Sequence, residues 1–389
     1  MRPKTHRDPA ALLAAVPEQS RAERRTSYAV ADFPLPGGRE EEWRFTPVDR
    51  LGRVLADEPG DPGAVSIDLP FDYAQAPLAQ GQAPRGRALV PADRAAVLAS
   101  AHTDEAAHLL VPVESAPEQP LRVVTTGKGA QLRSVGHLVV EAEAHSRATV
   151  VLDHVGSAAH TGNVEVLVGD GADLTVVSLQ RWDDDAVHLG QHDALVGRDA
   201  AYRHIVVTLG GAIVRINTNV RFAGPGGDAT LLGVYFADAG QHLEHRSYVD
   251  HNAPSCRSRV TYKGALQGEG AHTVWVGDVL IRAEALGTDT YELNRNLVLT
   301  DGARADSVPN LEIETGEILG AGHASSTGRF DDEQLFYLQA RGIPADQARR
   351  MVVRGFFADI VHRIGIPEVQ EHLMAAIDAE LALSAEDAA

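Results

Sequence analysis

The chain has 389 residues, a formal net charge of −19 at neutral pH, 44% hydrophobic residues, 5% aromatics, 36 glycines, 20 prolines and one cysteine. Its length exceeds one ordinary core and calls for several parts. The hydrophobic share excludes a disordered chain, while the acidic balance argues against a nucleic-acid binder and against docking to an anionic membrane surface.

In chain order, Asp8-Pro9 predicts a short helix through Val16, stopped by Pro17, and Ser20 with Glu23 predicts a second one running toward Val30. Phe33-Pro34-Leu35-Pro36-Gly37-Gly38 breaks it and leads into Glu40-Glu41-Glu42-Trp43-Arg44-Phe45-Thr46-Pro47, where the two aromatics anchor a small module and the charges are solvated. A Gly/Pro/Asp-rich linker from Ala56 to Ala64 follows, then a loop-rich stretch with one or two helices between Pro91 and Leu109. The start has no apolar run of signal-peptide length, no later run reaches a membrane span, and Cys256 stands alone. The expectation is a cytoplasmic protein without internal disulfides.

From Leu121 to about Glu314 the texture is short apolar or alternating runs between Gly/Asp/Asn corners. A corner at Gly169 recurs 28 positions on at Gly197 and 27 further at Gly224, with a similar one 28 earlier at Glu141. Val214, Ile216, Val220 and Phe222 alternate with Arg215, Asn217, Asn219 and Arg221, the period of 2 of a half-buried strand. A fixed repeat of this length predicts a β solenoid; a β-sandwich has similar turn spacing but needs no such register.

Beyond Glu314 the period becomes 3.6. Phe330-Asp331-Asp332 opens a helix closed by Gly342, and Pro344 starts another, with Ala348, Met351, Val352, Phe356 and Ile360 on one face and Gly365 as its stop. A last helix after Pro367 carries Val369, Leu373, Ile377 and Leu381 in line. These stripes either cover the open end of the solenoid or dock a partner.

Most catalytic signatures are missing. There is no P-loop and no G-x-S-x-G elbow, and one cysteine supplies neither a closed zinc site nor the thiolates of a whole Fe–S cluster. The glycines at 169, 171 and 224–227 are read as corners. Histidine is in excess, with 17 copies. In QHLEHRSYVDHN, His242 and Glu244 share one strand face while His245 takes the other, which disfavours a metal site. Asn294 and Asn296 read as interior hydrogen-bonding rungs. His323, in Gly320-Ala321-Gly322-His323-Ala324-Ser325, is read as a histidine on a flexible loop: either merely solvated, or a neutral imidazole able to bind a borderline metal.

The run Ala305-Asp306-Ser307-Val308-Pro309-Asn310-Leu311-Glu312-Ile313-Glu314, then Gly322-His323-Ala324-Ser325, then Gly328-Arg329-Phe330-Asp331-Asp332-Glu333-Gln334-Leu335-Phe336-Tyr337-Leu338-Gln339-Ala340-Arg341-Gly342-Ile343, resembles the C-terminal signature of the SufB/SufD family of Fe–S cluster assembly proteins. Asp250-His251-Asn252, Cys256-Arg257-Ser258-Arg259 with Lys263, and Glu42-Trp43-Arg44-Phe45-Thr46 agree with it. The shorter length, the N-terminal module and the lack of SufB-type cysteines resemble the SufD branch. The resemblance implies a mostly β protein: a right-handed parallel β-helix between helical N- and C-terminal domains, placed at 1–118, 119–318 and 319–389.

It also implies a scaffold without catalytic residues, pairing with a SufB-type homologue through the β-helix and docking a SufC-type ABC ATPase through its C-terminal helices. No cofactor is expected on this chain alone; a nascent Fe–S cluster would be shared with SufB, and a homodimer is the alternative for the isolated chain. His323 is the one metal-site residue carried over from the motif. The cysteine that the family often has two residues earlier is Ala321 here. The rival from another class is a β-solenoid carbohydrate-active enzyme; it needs paired carboxylates, and Asp183-Asp184-Asp185 is the one acidic cluster in the core. A purely structural solenoid is the third reading, separated from the first by the motif alone.

Overall fold

The computed structural model describes residues 24–330 and 332–386. The described residues begin with short 3-10 turns, β1 (Val65–Asp68), β2 (Leu78–Ala79), α1 (Arg94–His102) and β3 (Glu105–Val111). Two long strands follow, β4 (Leu121–Ala142) and β5 (Arg147–Val168), then β6 (Asp173–Trp182), β7 (Val187–Val196), β8 (Ala201–Thr208), β9 (Ile213–Phe222), β10 (Asp228–Ala237) and β11 (His242–His251). The last coils are β12 (Arg257–Leu266), β13 (His272–Ile281), β14 (Asp289–Val298), β15 (Arg304–Ile313) and β16 (Gly320–Arg329). Helices α2 (Asp332–Gln339), α3 (Ala345–Ile364) and α4 (Pro367–Glu386) end the described chain.

The strands form a β solenoid of parallel ladders. Odd-numbered strands from β7 to β15 stack as one wall and even-numbered strands from β6 to β16 as the other, with β5 contributing its first half to the even wall and its second half to the odd one. The switch within β5 is made at Gly156, whose φ of +73° favours glycine and whose neighbour across the ladder is Gly127. Corners stack as the repeat requires: Gly169 N donates to Ala142 O at 2.7 Å and Gly197 N to Val168 O at 2.8 Å. The corner expected at Glu141 lies inside β4, paired with Leu167, and the turn falls just after it. Coil length is not constant, since Arg147 pairs with Asp173, Ala159 with Val187 and Arg257 with Asp289.

Inward residues such as Val150, Val176, Val196, Ile216, Phe222, Tyr235 and Trp275 fill the lumen. Each wall's outer face is then covered by a flanking segment. On the odd wall Trp43, Leu51, Val54, Leu55 and Ala95 pack with Leu189 and Ile213. On the even wall Val177, Ile205, Val234 and Phe236 meet Val353, Phe357, Ile360, Leu373 and Ile377 of α3 and α4. Lys263 Nζ reinforces this by donating to Phe356 O at 2.8 Å.

Three expectations are corrected here. The first predicted helix lies outside the described residues, but residues 24–29 are not helical: Ser27 N donates to Pro91 O at 2.9 Å and Tyr28 OH to Leu89 O at 2.6 Å, so tertiary anchors hold this stretch open. The C-terminal stripes cover the even wall and leave the solenoid's end open. The buried face of α3 is also rotated by about one residue, with Val353 and Phe357 inside while Met351 is 47% exposed, because the wall selects the face that meshes with it. Phe357→Ala leaves a cavity at this seam and is expected to cost about 3–5 kcal/mol, read as a lower urea midpoint; an unchanged midpoint would show that the helices contribute nothing to holding the wall.

Candidate functional site

The solenoid's last coil is open. Among the described residues β15 pairs with β13 alone and β16 with β14 alone, so each presents one unpaired ladder edge. Beside these edges Leu319 is 82% exposed and Ile313 is also exposed. Unpaired edges of this length template pairing with another strand unless covered.

His323 stands on β16 in this coil, not on a flexible loop. The Gly/Ala/Ser composition around it has no strand alternation, but the ladder with β14 supplies its backbone partners and imposes extended geometry. In that ladder His323, Ser325 and Thr327 pair with Glu292, Asn294 and Asn296. Neighbours in a parallel ladder share a face. That face is the lumen, because Asn296 Nδ2 reaches both Ser307 Oγ on the opposite wall at 3.0 Å and Thr327 Oγ1 at 3.4 Å. His323 therefore lines the mouth of the lumen while staying exposed, since among the described residues no further coil covers it.

Behind it the lumen is polar. Asn294 Nδ2 donates to Tyr235 OH at 2.9 Å and Asn296 Nδ2 to Asn294 Oδ1 at 2.9 Å, the rungs expected from the sequence. Glu292 is 1% exposed, both its carboxyl oxygens lack a partner, and burial together with the charge of Asp278 pushes it well above the usual carboxylate range. Gly277 makes room for it: a Cβ there would stand 3.0 Å from Glu292 Oε1 and 2.3 Å from the Trp275 ring.

Deeper still runs a column of histidines that the sequence reading missed. His160 and His188 are ladder partners with ring centroids 4.9 Å apart, and His154 lies 5.1 Å from His188. Trp182 Nε1 donates to Gln180 Oε1 at 2.8 Å, and His188 Nδ1 approaches the same oxygen at 2.7 Å. His192 Nδ1 and His204 Nε2 are 3.1 Å apart, and His245 stacks on Tyr235 at 4.8 Å while its Nε2 meets Thr208 Oγ1 at 2.9 Å. The 28-residue offset of His160 and His188 was the available signal.

The remaining candidates fall into place. His242 and Glu244 do share a face, 3.2 Å apart, with His245 on the other. Cys256 is 1% exposed inside the core, its thiol raised by burial. Asp185 accepts from Ser157 and Asp184 from Gln241, so the acidic cluster is a hydrogen-bonded corner. Among the described residues no group of three His, Cys, Asp or Glu side chains is placed to hold a metal ion, and no helix is long and apolar enough to cross a membrane.

Comparison with known proteins assigns the family. Residues 124–356, from the start of the solenoid into α3, match the family model for the SufBD core domain of SUF system FeS cluster assembly. The chain belongs to the SufBD family. It is 53% identical over 367 residues to an iron-sulfur cluster assembly SufBD family protein of Mycobacterium tuberculosis, covering 92% of each chain. It is also similar to the iron-sulfur cluster assembly protein SufD of Escherichia coli, at 25% identity over 89% of each, and to SufD of Bacillus subtilis, at 27% over 70% of this chain and 63% of that one. The likeness is thus to SufD, as the shorter length, the N-terminal module and the lack of SufB-type cysteines implied.

Proposed function

We propose that the chain is a scaffold subunit of Fe–S cluster assembly that has no catalytic turnover of its own. Its open last coil pairs with the β-helix of a cysteine-bearing, SufB-type homologue, and its C-terminal helices dock a SufC-type ABC ATPase. The observation that carries this reading is the open coil itself, where two unpaired parallel edges frame a lumen mouth lined by His323. A second solenoid extending these ladders would satisfy the edge groups and enclose His323. A neutral imidazole there is a borderline ligand suited to iron, and the thiolates absent from this chain would come from the partner. For the ATPase, α3 keeps its buried face on the wall while Phe336 and Tyr337 on α2 and Met351 on α3 stay exposed. These are the residues a partner would cover.

The test is co-purification with the ATPase and the cysteine-bearing homologue, with iron and sulfide measured in the complex. His323→Ala is expected to lower the complex's cluster content at least several-fold while leaving the melting behaviour of the isolated chain within ~0.5 kcal/mol, as for a surface change. A fully active variant would return His323 to the status of a solvated residue. If the isolated chain forms a stable homodimer and ignores the homologue, the open edge serves self-association instead. The isolated chain, with one buried thiol, is expected to hold no stoichiometric cluster after anaerobic reconstitution.

A further inference from the structure

Two imidazoles face each other on the outer face of the odd wall, away from the lumen. His242 on β11 and His272 on β13 are ladder partners, and their Nδ1 atoms are 3.1 Å apart. Behind each ring stands a carboxylate: His272 Nε2 is 2.7 Å from Asp306 Oδ2, and His242 Nε2 is 3.2 Å from Glu244 Oε2. Both carboxylates are paired with guanidinium groups, Glu244 with Arg215 and Arg246 and Asp306 with Arg304, so both are ionised and can only accept. Each Nε2 must then carry its ring's N–H, and a neutral imidazole has just one. With both rings neutral, two Nδ1 lone pairs are left beside the same gap, which is repulsive unless a proton or a metal ion occupies it.

A carboxylate accepting from the far nitrogen is the arrangement that fixes the tautomer of metal-binding histidines and raises their basicity. Bonds of ~2.0–2.1 Å to a common ion, as for zinc and imidazole, would close over a 3.1 Å separation at roughly a right angle. That leaves the ion's other positions open. His272 reaches solvent, with a side chain 21% exposed, whereas His242 is buried at its base. We propose that His242 and His272 form a cis pair of nitrogen ligands for a borderline divalent transition-metal ion, oriented by Glu244 and Asp306 and completed by water or a partner's side chain. The pair links β11 to β13, and Asp306 belongs to the edge strand β15, so the ion would lie one rung in from the edge strand and stiffen the last three odd-wall rungs.

The test uses the full chain and Co²⁺ as the probe, followed by its d–d absorption, with Zn²⁺ as competitor. One equivalent of Co²⁺ is expected to bind and to be displaced by Zn²⁺. Affinity should fall at least tenfold in His272→Gln and about 10- to 100-fold in Asp306→Asn, the range for loss of an orienting carboxylate. It should be unchanged in His323→Ala, which separates this site from the lumen mouth. Zn²⁺ should raise the melting temperature of the wild type and leave that of His272→Gln where it was; metal-free melts of each variant report folding independently. Unchanged affinity in His272→Gln overturns the proposal. So does a wild type that takes up no Co²⁺ and whose ¹⁵N imidazole spectra show one proton shared between the two Nδ1 atoms.

Discussion

Lowering the pH from 7.5 to 5 is expected to unfold the protein, with stability falling by several kcal/mol for each unit below about 6.5. The cause is the histidine column and its neighbours. Burial holds His154, His204 and His251 down to about 4 and His160 and His245 to about 3, and it keeps His188 and His192 well below the ordinary value. The unfolded chain, whose histidines titrate near 6.5, takes up these protons first as the pH falls, so the neutral folded state loses ground from 6.5 until the folded values are reached. Two groups act in the opposite sense. Asp193, pushed up to about 7 by burial, and Glu292, raised well above the usual range, hold protons in the folded state that the unfolded chain releases until the pH nears 4. Burial lowers His137 and His272 as well, so at least seven histidines against two carboxyls leave a net uptake of roughly four to five protons on unfolding near pH 5.5, or roughly 6 kcal/mol per pH unit. Marginal stabilities of ~5–15 kcal/mol are exhausted within one or two such units. Urea midpoints measured between pH 7.5 and 5 check this, together with proton uptake on unfolding. A flat profile would mean that the lumen histidines are solvated and free to protonate in place.

The second large effect is expected at Glu244, which is fully buried on the outer face of the odd wall. Burial alone would raise its carboxyl, but the hydrogen bond from His242 and the charges of Arg215 and Arg246 outweigh it and hold the group ionised well below the ordinary range. Thr46 Oγ1 donates to it at 2.7 Å, and Arg215 Nη1 also reaches Asp93 Oδ2 at 2.5 Å. Arg215 in turn lies under the Trp43 ring at 4.3 Å. The network therefore ties the N-terminal segment to the wall. Glu244→Ala removes the carboxylate shared by two guanidinium groups, leaving Arg215 to Asp93 and Arg246 to the backbone carbonyls of Glu41 and Glu42, and is expected to cost about 3 kcal/mol, the low end for the loss of one partner from a buried pair. It should also release Trp43, the one tryptophan of three outside the lumen, with a red shift in emission. Unchanged stability and emission would mean that the apolar contacts of Trp43, Leu51 and Val54 suffice to dock the segment.

Much of the architecture is legible in the amino acids because a solenoid is built from local rules repeated. Gly169 and Gly197 mark corners where stacked backbone leaves no room for a Cβ, and the alternation in Val214–Phe222 assigns one set of side chains to the lumen and the other to the wall's outer face. Pro344, Gly365 and Pro367 bound the helices for equally local reasons, a fixed φ at the start and a left-handed turn at the stop. What the tertiary structure decided is whatever depends on register between coils. Rung spacing varies between the Arg147–Asp173 and Arg257–Asp289 pairs, so no single repeat length shows that Glu292 lies beside His323, that His242 faces His272, or that six histidines of the lumen converge. The strand through Gly320–Arg329 and the buried face of α3 belong to the same class. A segment of Gly, Ala and Ser has no preference strong enough to choose its own conformation, and a helix with apolar residues on adjoining faces turns whichever one its neighbour can receive.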